Sequence, residues 1–489
     1  MLSQLTTAAF TAVLTLFLVR ALGPEEYGLF GLALAINGIA VLFADLGVAN
    51  SMARFVAERR GERSAVAAVL SDALRLKLGL GLFAAAALAA IAGPIADAYR
   101  EPDLVWPLRG MALAAGAQAL FMFYVEGFVA LGRISRNVWI NLIESIAESG
   151  ASITLVVLGA GAAGATFGRA IGYAIGAAAA AVVLARLIGR AMVRLRRRRG
   201  EPTRTREIIS YAIPLLVTNS AYVLYSTTDV LLVGAILDSE AVGLYSAPLR
   251  LVVFLAFIGL AVGYAIAPRL ADPAGRPENA EVFRNGLRWL LLLQAALLAP
   301  LLVWAEPIVD LLLGGEFGES ADVLRWLTPY VFLLGIAPLI TTAVNYLGMA
   351  ARRIPIVLGA LALNMAIAAA LLPSIGIDAA AMAMSAAYIA YTFGHFRLCT
   401  RHVHVPGWPL ALTLARSLAA GAAMAGILFA FGTSQLTPLD WLLGGAGGLA
   451  AYVLALIAGG ELKPRELREL ADAARGAVRR IRPGDANAG

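Results

Sequence analysis

The chain has 489 residues, 60% hydrophobic and only 15% charged, with a mean hydropathy of +0.79 and a net charge of +7. That apolar excess is more than the core of a soluble domain requires and excludes a fold with water as its main solvent. A single cysteine, Cys399, excludes an internal disulfide framework and a thiolate metal cluster, and three histidines give no metal-site pattern, so neither metal nor cofactor is expected.

Apolar blocks of about twenty residues, enough to cross about 30 Å of hydrocarbon, follow one another along the chain. The first six run over 5–22, 27–53, 76–98, 108–131, 138–159 and 164–187. After a basic segment come 208–237, 241–267, 286–313, 324–347, 354–372 and 375–398, and then an extra pair, 410–431 and 441–459. The expectation is an all-α integral membrane protein of about fourteen transmembrane helices, its first block a retained helix. Two pseudo-symmetric six-helix bundles and a C-terminal pair divide it into an N-lobe (1–189), a basic cytoplasmic linker (190–207), a C-lobe (208–400), the last two spans (401–460) and a basic tail (461–489).

Arginine collects in alternate loops, at Arg54 to Arg63, Arg133 and Arg136, Arg190 to Arg206, Arg269 to Arg284, Arg352 and Arg353, and Arg397 and Arg401, and again in the tail. The intervening loops carry almost no cations. Lys and Arg are retained inside, so both termini are expected in the cytoplasm of a multi-pass protein of the cytoplasmic membrane. Topology thus accounts for the positive charge, and the run Arg196 to Arg199 is read as facing anionic lipid headgroups rather than nucleic acid.

The chain repeats itself. Residues 22–30, Leu-Gly-Pro-Glu-Glu-Tyr-Gly-Leu-Phe, align with residues 237–245, Leu-Asp-Ser-Glu-Ala-Val-Gly-Leu-Tyr, and a nearly constant offset pairs Pro94 to Asp97 with Pro307 to Asp310, Arg109 with Arg325, and Leu131-Gly132 with Leu347-Gly348. Two six-span halves in the same direction imply an axis along the membrane normal. The stretch 22–30, its echo Gly243-Leu244-Tyr245-Ser246 and the added C-terminal pair resemble the multidrug/oligosaccharidyl-lipid/polysaccharide (MOP) exporter superfamily, and within it the polysaccharide and O-antigen flippases. The resemblance implies alternating access and a polyprenyl-diphosphate-linked oligosaccharide as cargo. It also implies membrane lipids and other polysaccharide-assembly proteins as partners.

The first and seventh spans carry matched polar stripes, Gln4, Thr7, Thr11 and Thr15 against Asn219, Tyr222, Ser226 and Asp229. Such a face turns to an aqueous cavity or packs on other helices. Arg250 and Asp229 fall at equal depth on consecutive spans, about 12 Å below the outer surface, as an ion pair or with Arg250 as a contact for an anionic cargo. Arg20, Arg109, Arg169 and Arg325 are snorkelling anchors or a field for a diphosphate, the latter favoured by the resemblance. Glu144 and Glu148 lie at i, i+4 in the fifth span and are the candidates for coupling to a proton or sodium gradient, against a structural pair held by arginines. Asp45 and Glu126 are weaker candidates, and Glu25, Glu26 and Glu240 are read as helix N-terminal acids.

Three alternatives stand beside the flippase. A multidrug or metabolite cation antiporter of the same superfamily would carry an acid in its first helix, which this chain lacks; a peptidoglycan-precursor flippase shares every feature above. A membrane glycosyltransferase needs larger outer loops than these, so no enzyme is expected.

Overall fold

The computed structural model describes residues 2–59, 61–197, 205–252, 256–266, 277–403, 407–463 and 466. Among them the chain is helical throughout, with no strand: α1 (Leu2–Asp45), α2 (Val48–Glu58), α3 (Arg63–Tyr99), α4 (Val105–Ala130), α5 (Ile134–Val157), α6 (Gly161–Arg197), α7 (Thr205–Ile236), α8 (Ser239–Val252), α9 (Ala256–Ile266), α10 (Pro277–Val303), α11 (Ala305–Leu312), α12 (Ser320–Trp326), α13 (Thr328–Leu334), α14 (Ala337–Tyr346), α15 (Ile354–Ile375), α16 (Ile377–Thr400), α17 (Gly407–Ala430) and α18 (Pro438–Ala458). Nine of the described helices are long and apolar enough to cross a membrane, or ten if the bent pair α13 and α14 is one span.

Glycines decide where spans begin and break. α1 joins two expected spans at Gly23, whose φ of 70° and ψ of 177° leave the helical path, and Pro24 restarts the helix with φ preset. The second expected span, 27–53, is not continuous: Leu46 and Gly47 have positive φ, and Asp45 caps α2 by accepting from the Gly47 and Ala49 amides. The tenth, 324–347, is three short helices, with a 41° bend between α13 and α14. The helix of the sixth span continues to Arg197, into the expected linker.

The chain forms two compact units, residues 1–254 with 309–327 and 350–394, and residues 255–308 with 328–349 and 395–489. The first centres on a cluster that includes Met52, Leu70, Phe121, Phe123 and Phe128. The second has two clusters, one around Phe283 and Leu339 and one around Trp304 and Leu428. There Trp304 Nε1 donates to Leu428 O at 3.2 Å and Gly432 O at 3.1 Å, tying the junction of α10 and α11 to the end of α17. Leu82, Phe83, Leu158, Phe429 and Leu442 are exposed while Lys77, Asp229 and Gln294 are fully buried. Apolar outside and polar inside is the arrangement that hydrocarbon solvent demands.

Within the first unit, six of the cation-poor loops meet. Tyr27 packs on Phe317, Ala162 N donates to Glu26, Ser239 N donates to Glu101 and Ser320 donates to Leu244 O. A cavity of about 460 Å³ here is lined by Asp238, Glu240, Glu319, Asp322 and Asp378.

Candidate functional site

A smaller cavity of about 170 Å³ in the first unit is lined by four charged side chains from three helices. α1 contributes Thr7, Thr11 and Thr15, whose four-residue spacing keeps all three on one helical face, together with Phe10, Leu14 and Leu18. α5 contributes Glu144, Ser145, Glu148 and Ser149, α6 contributes Arg169 and Tyr173, and α8 contributes Arg250.

α5 and α6 come together because one of them has a face without side chains. Gly168, Gly172 and Gly176, at i, i+4 and i+8 of α6, lie against Ser152, Glu148 and Glu144, which run the opposite way along α5. A Cβ on any of the three glycines would collide with α5. Close backbone approach through small residues is the usual means of helix association in lipid. The approach places Arg169 Nη1 2.5 Å from Glu148 Oε1, with Arg169 Nη2 donating to Tyr173 OH at 2.9 Å and the guanidinium 5.0 Å from that ring. Ser145 Oγ donates to Glu144 at 3.2 Å.

Arg250 is different. Its Nε, like that of Arg169, is buried without a hydrogen-bond partner, but the Arg250 side chain enters no ion pair among the described residues. The expected pairing with Asp229 does not form. Asp229, fully buried, accepts from Tyr245 OH at 2.5 Å instead. Tyr245 and Arg250 are five residues apart on α8, which turns them to different faces, one toward α7 and the other into the cavity.

Of the other candidates, Ser226 Oγ is exposed and donates to Val223 O, outside this cavity. The side chains of Gln4, Asn219 and Tyr222 lie outside the described residues. Arg109 is exposed, its guanidinium 4.8 Å from the Trp106 ring, and Arg325 lies 2.5 Å from Asp322; neither lines the cavity. Arg20 donates to Leu311 O and Leu312 O, the last carbonyls of α11. Glu26 accepts at the N-terminus of α6. The reading missed Lys77, fully buried in an ion pair with Asp45; a lysine at the end of an apolar block in an arginine-dominated chain was its signal. It also missed the role of the glycine stripe, visible as the spacing 168, 172, 176.

The repeat has a structural counterpart. A Cβ on Gly28 would strike Ser239 O, and one on Gly243 would strike Pro24 O. Gly28 and Gly243 are repeat mates, as are Pro24 and Ser239, so the two copies of the motif pack on each other reciprocally. Three positions further, about one helical turn, Gly31 packs on Ser246, its own mate.

The family model for "Polysaccharide biosynthesis protein" matches residues 1–272, and that for "Lipid II flippase MurJ" matches residues 145–445. A relative from Haloferax volcanii, "Probable low-salt glycan biosynthesis flippase Agl15", is 24% identical over 431 residues, 85% of each chain. The fold is similar to that of the lipid II flippase MurJ in an inward closed conformation, with a TM-score of 0.74, 14% identity, and 93% of this chain and 97% of that one covered. It is also similar to an inward-facing MATE multidrug resistance transporter, with a TM-score of 0.64, 15% identity, and 81% and 94% covered. With two such models each spanning more than half of its length, the chain belongs to the polysaccharide biosynthesis and MurJ branch of the MOP superfamily, and is a multi-pass membrane flippase rather than an enzyme.

Proposed function

We propose that this flippase carries a polyprenyl-diphosphate-linked oligosaccharide from the cytoplasmic to the outer leaflet of the cytoplasmic membrane, with both termini in the cytoplasm. The observation that carries the reading is the cavity in which the α1 threonine face meets Arg169 and Arg250, since a guanidinium that enters no ion pair among the described residues suits an anionic guest. Alternating access between two six-helix lobes is the proposed mechanism, supported by the reciprocal packing of the two motif copies. Glu144 and Glu148, on the wall of the same cavity, are proposed to couple transport to a proton or sodium gradient.

The test is the sidedness of lipid-linked oligosaccharide in cells lacking the protein. Accumulation on the cytoplasmic face, reversed by restoring the gene, is expected; unchanged sidedness refutes the proposal. The match to the MurJ family over residues 145–445 favours a second reading, a peptidoglycan-precursor flippase. In that case the accumulating lipid carries the peptidoglycan precursor and cell-wall synthesis fails.

A further inference from the structure

We propose that Glu148 is an internal stand-in for the cargo's phosphate: its carboxylate occupies Arg169, and the cargo binds by displacing it. The inference rests on the cavity being the site of the anionic group.

The two arginines of the cavity differ in their ion pairing. The Nε of each is buried without a partner, but Arg250 from α8 enters no ion pair among the described residues, whereas Arg169 from α6 is paired with Glu148 at 2.5 Å and steadied by Tyr173 OH at 2.9 Å. Two guanidiniums facing one cavity match the two phosphates of a diphosphate, because each planar fork takes a pair of oxygens. With Glu148 in place the Nη1 edge of Arg169 is taken, while Arg250 holds no carboxylate among the described residues.

Charge balance gives the same answer. Arg169 and Arg250 face Glu144 and Glu148 in the same cavity, and an entering dianion is repelled by the carboxylate held on Arg169 unless that carboxylate withdraws. Glu148 is the one whose place the guest takes. Four residues back, Glu144 accepts from Ser145, whereas Glu148 holds the guanidinium, so the carboxylate the guest displaces is that of Glu148. The consequence is reciprocal: an empty carrier holds α5 to α6 through Arg169, and a loaded carrier does not. Loading and the α5–α6 contact are thereby coupled in a single exchange of ligands on one guanidinium.

The experiment measures binding of farnesyl diphosphate, with farnesol as the uncharged control, to the purified full chain in detergent, for the wild type and for Glu148→Gln, Glu148→Asp, Arg250→Gln and the double variant Arg169→Gln/Glu148→Gln. Removing the stand-in should tighten binding of the diphosphate by roughly ten- to a hundredfold, the size of one charge-assisted hydrogen bond, and leave farnesol unchanged. Glu148→Asp, which retracts the carboxylate but keeps its charge, should tighten it less, and serves if the glutamine variant does not fold. The double variant should lose the gain. Weakened binding in Arg250→Gln with unchanged or weaker binding in both Glu148 variants overturns the stand-in and leaves the cavity reading intact. Unchanged binding in Arg250→Gln overturns both.

Discussion

Glu461, just past the end of α18, shows what a buried charge requires in this protein. It is 6% exposed, yet Arg288 Nε lies 2.8 Å from it, Arg416 Nη1 3.1 Å and Thr413 Oγ1 2.8 Å, while Arg288 also reaches Glu466 at 2.7 Å. Burial pushes the Glu461 carboxyl up, but hydrogen bonds from Arg288, Thr413 and Arg416 outweigh it and hold the pKa below the ordinary value. A pKa lower in the folded state means stabilisation that is complete above about pH 4.3 and is lost as pH falls through the depressed folded value. Thermal unfolding in detergent should therefore be flat near neutrality and weaken only at acid pH. Glu461→Gln should cost about 1.5–3 kcal/mol and blunt that acid dependence, because Arg288 and Arg416 lose a charged partner. Asp229, by contrast, is met by a hydroxyl, that of Tyr245, and Arg250 enters no ion pair among the described residues.

At the scale of elements, close approach is bought with glycine. A Cβ at Gly172 would lie 2.5 Å from Glu148 Cβ, so Gly172→Leu should push α5 from α6, reduce stability by roughly 1–3 kcal/mol and carry Glu148 away from Arg169. Thermal unfolding together with transport checks this, and Gly172→Ala should fall between. The contact of α1 with α8 is testable in another way. A Cβ on Gly31 lies 3.7 Å from Ser246 Cβ, within the range of a disulfide. In a Cys399-free background, Gly31→Cys with Ser246→Cys should cross-link on oxidation and stop transport until reduced; full transport with the bond formed would remove this contact from the cycle.

For the whole molecule, the meeting of the alternate loops at Tyr27, Glu101, Ala162, Ser239, Phe317 and Asp378 puts them at one end of the first unit, as an arginine bias in the other loops requires. A cysteine at exposed Glu316 should react with a membrane-impermeant maleimide on intact cells, and one at exposed Arg352 only after permeabilisation. The opposite pattern would invert the proposed orientation.

Much of this was legible in order along the chain. Apolar length and the arginine bias are local properties set by transfer of each segment to hydrocarbon, so the all-helical membrane fold, the crossing of most spans and the repeat could be read without coordinates. The polar face of α1 and the carboxylate pair of α5 were equally visible, because helical spacing alone places them. What the tertiary structure decided is which faces meet. It joined the α1 threonines, Glu148, Arg169 and Arg250 around one cavity, and it took Asp229, Arg109 and Arg325 elsewhere. It also broke two expected spans at Gly47 and between α13 and α14. The physical reason is that a buried charge is satisfied by whichever partner packing brings within hydrogen-bond reach, and that depends on the rotation of each helix against its neighbours, which periodicity in a single helix does not contain.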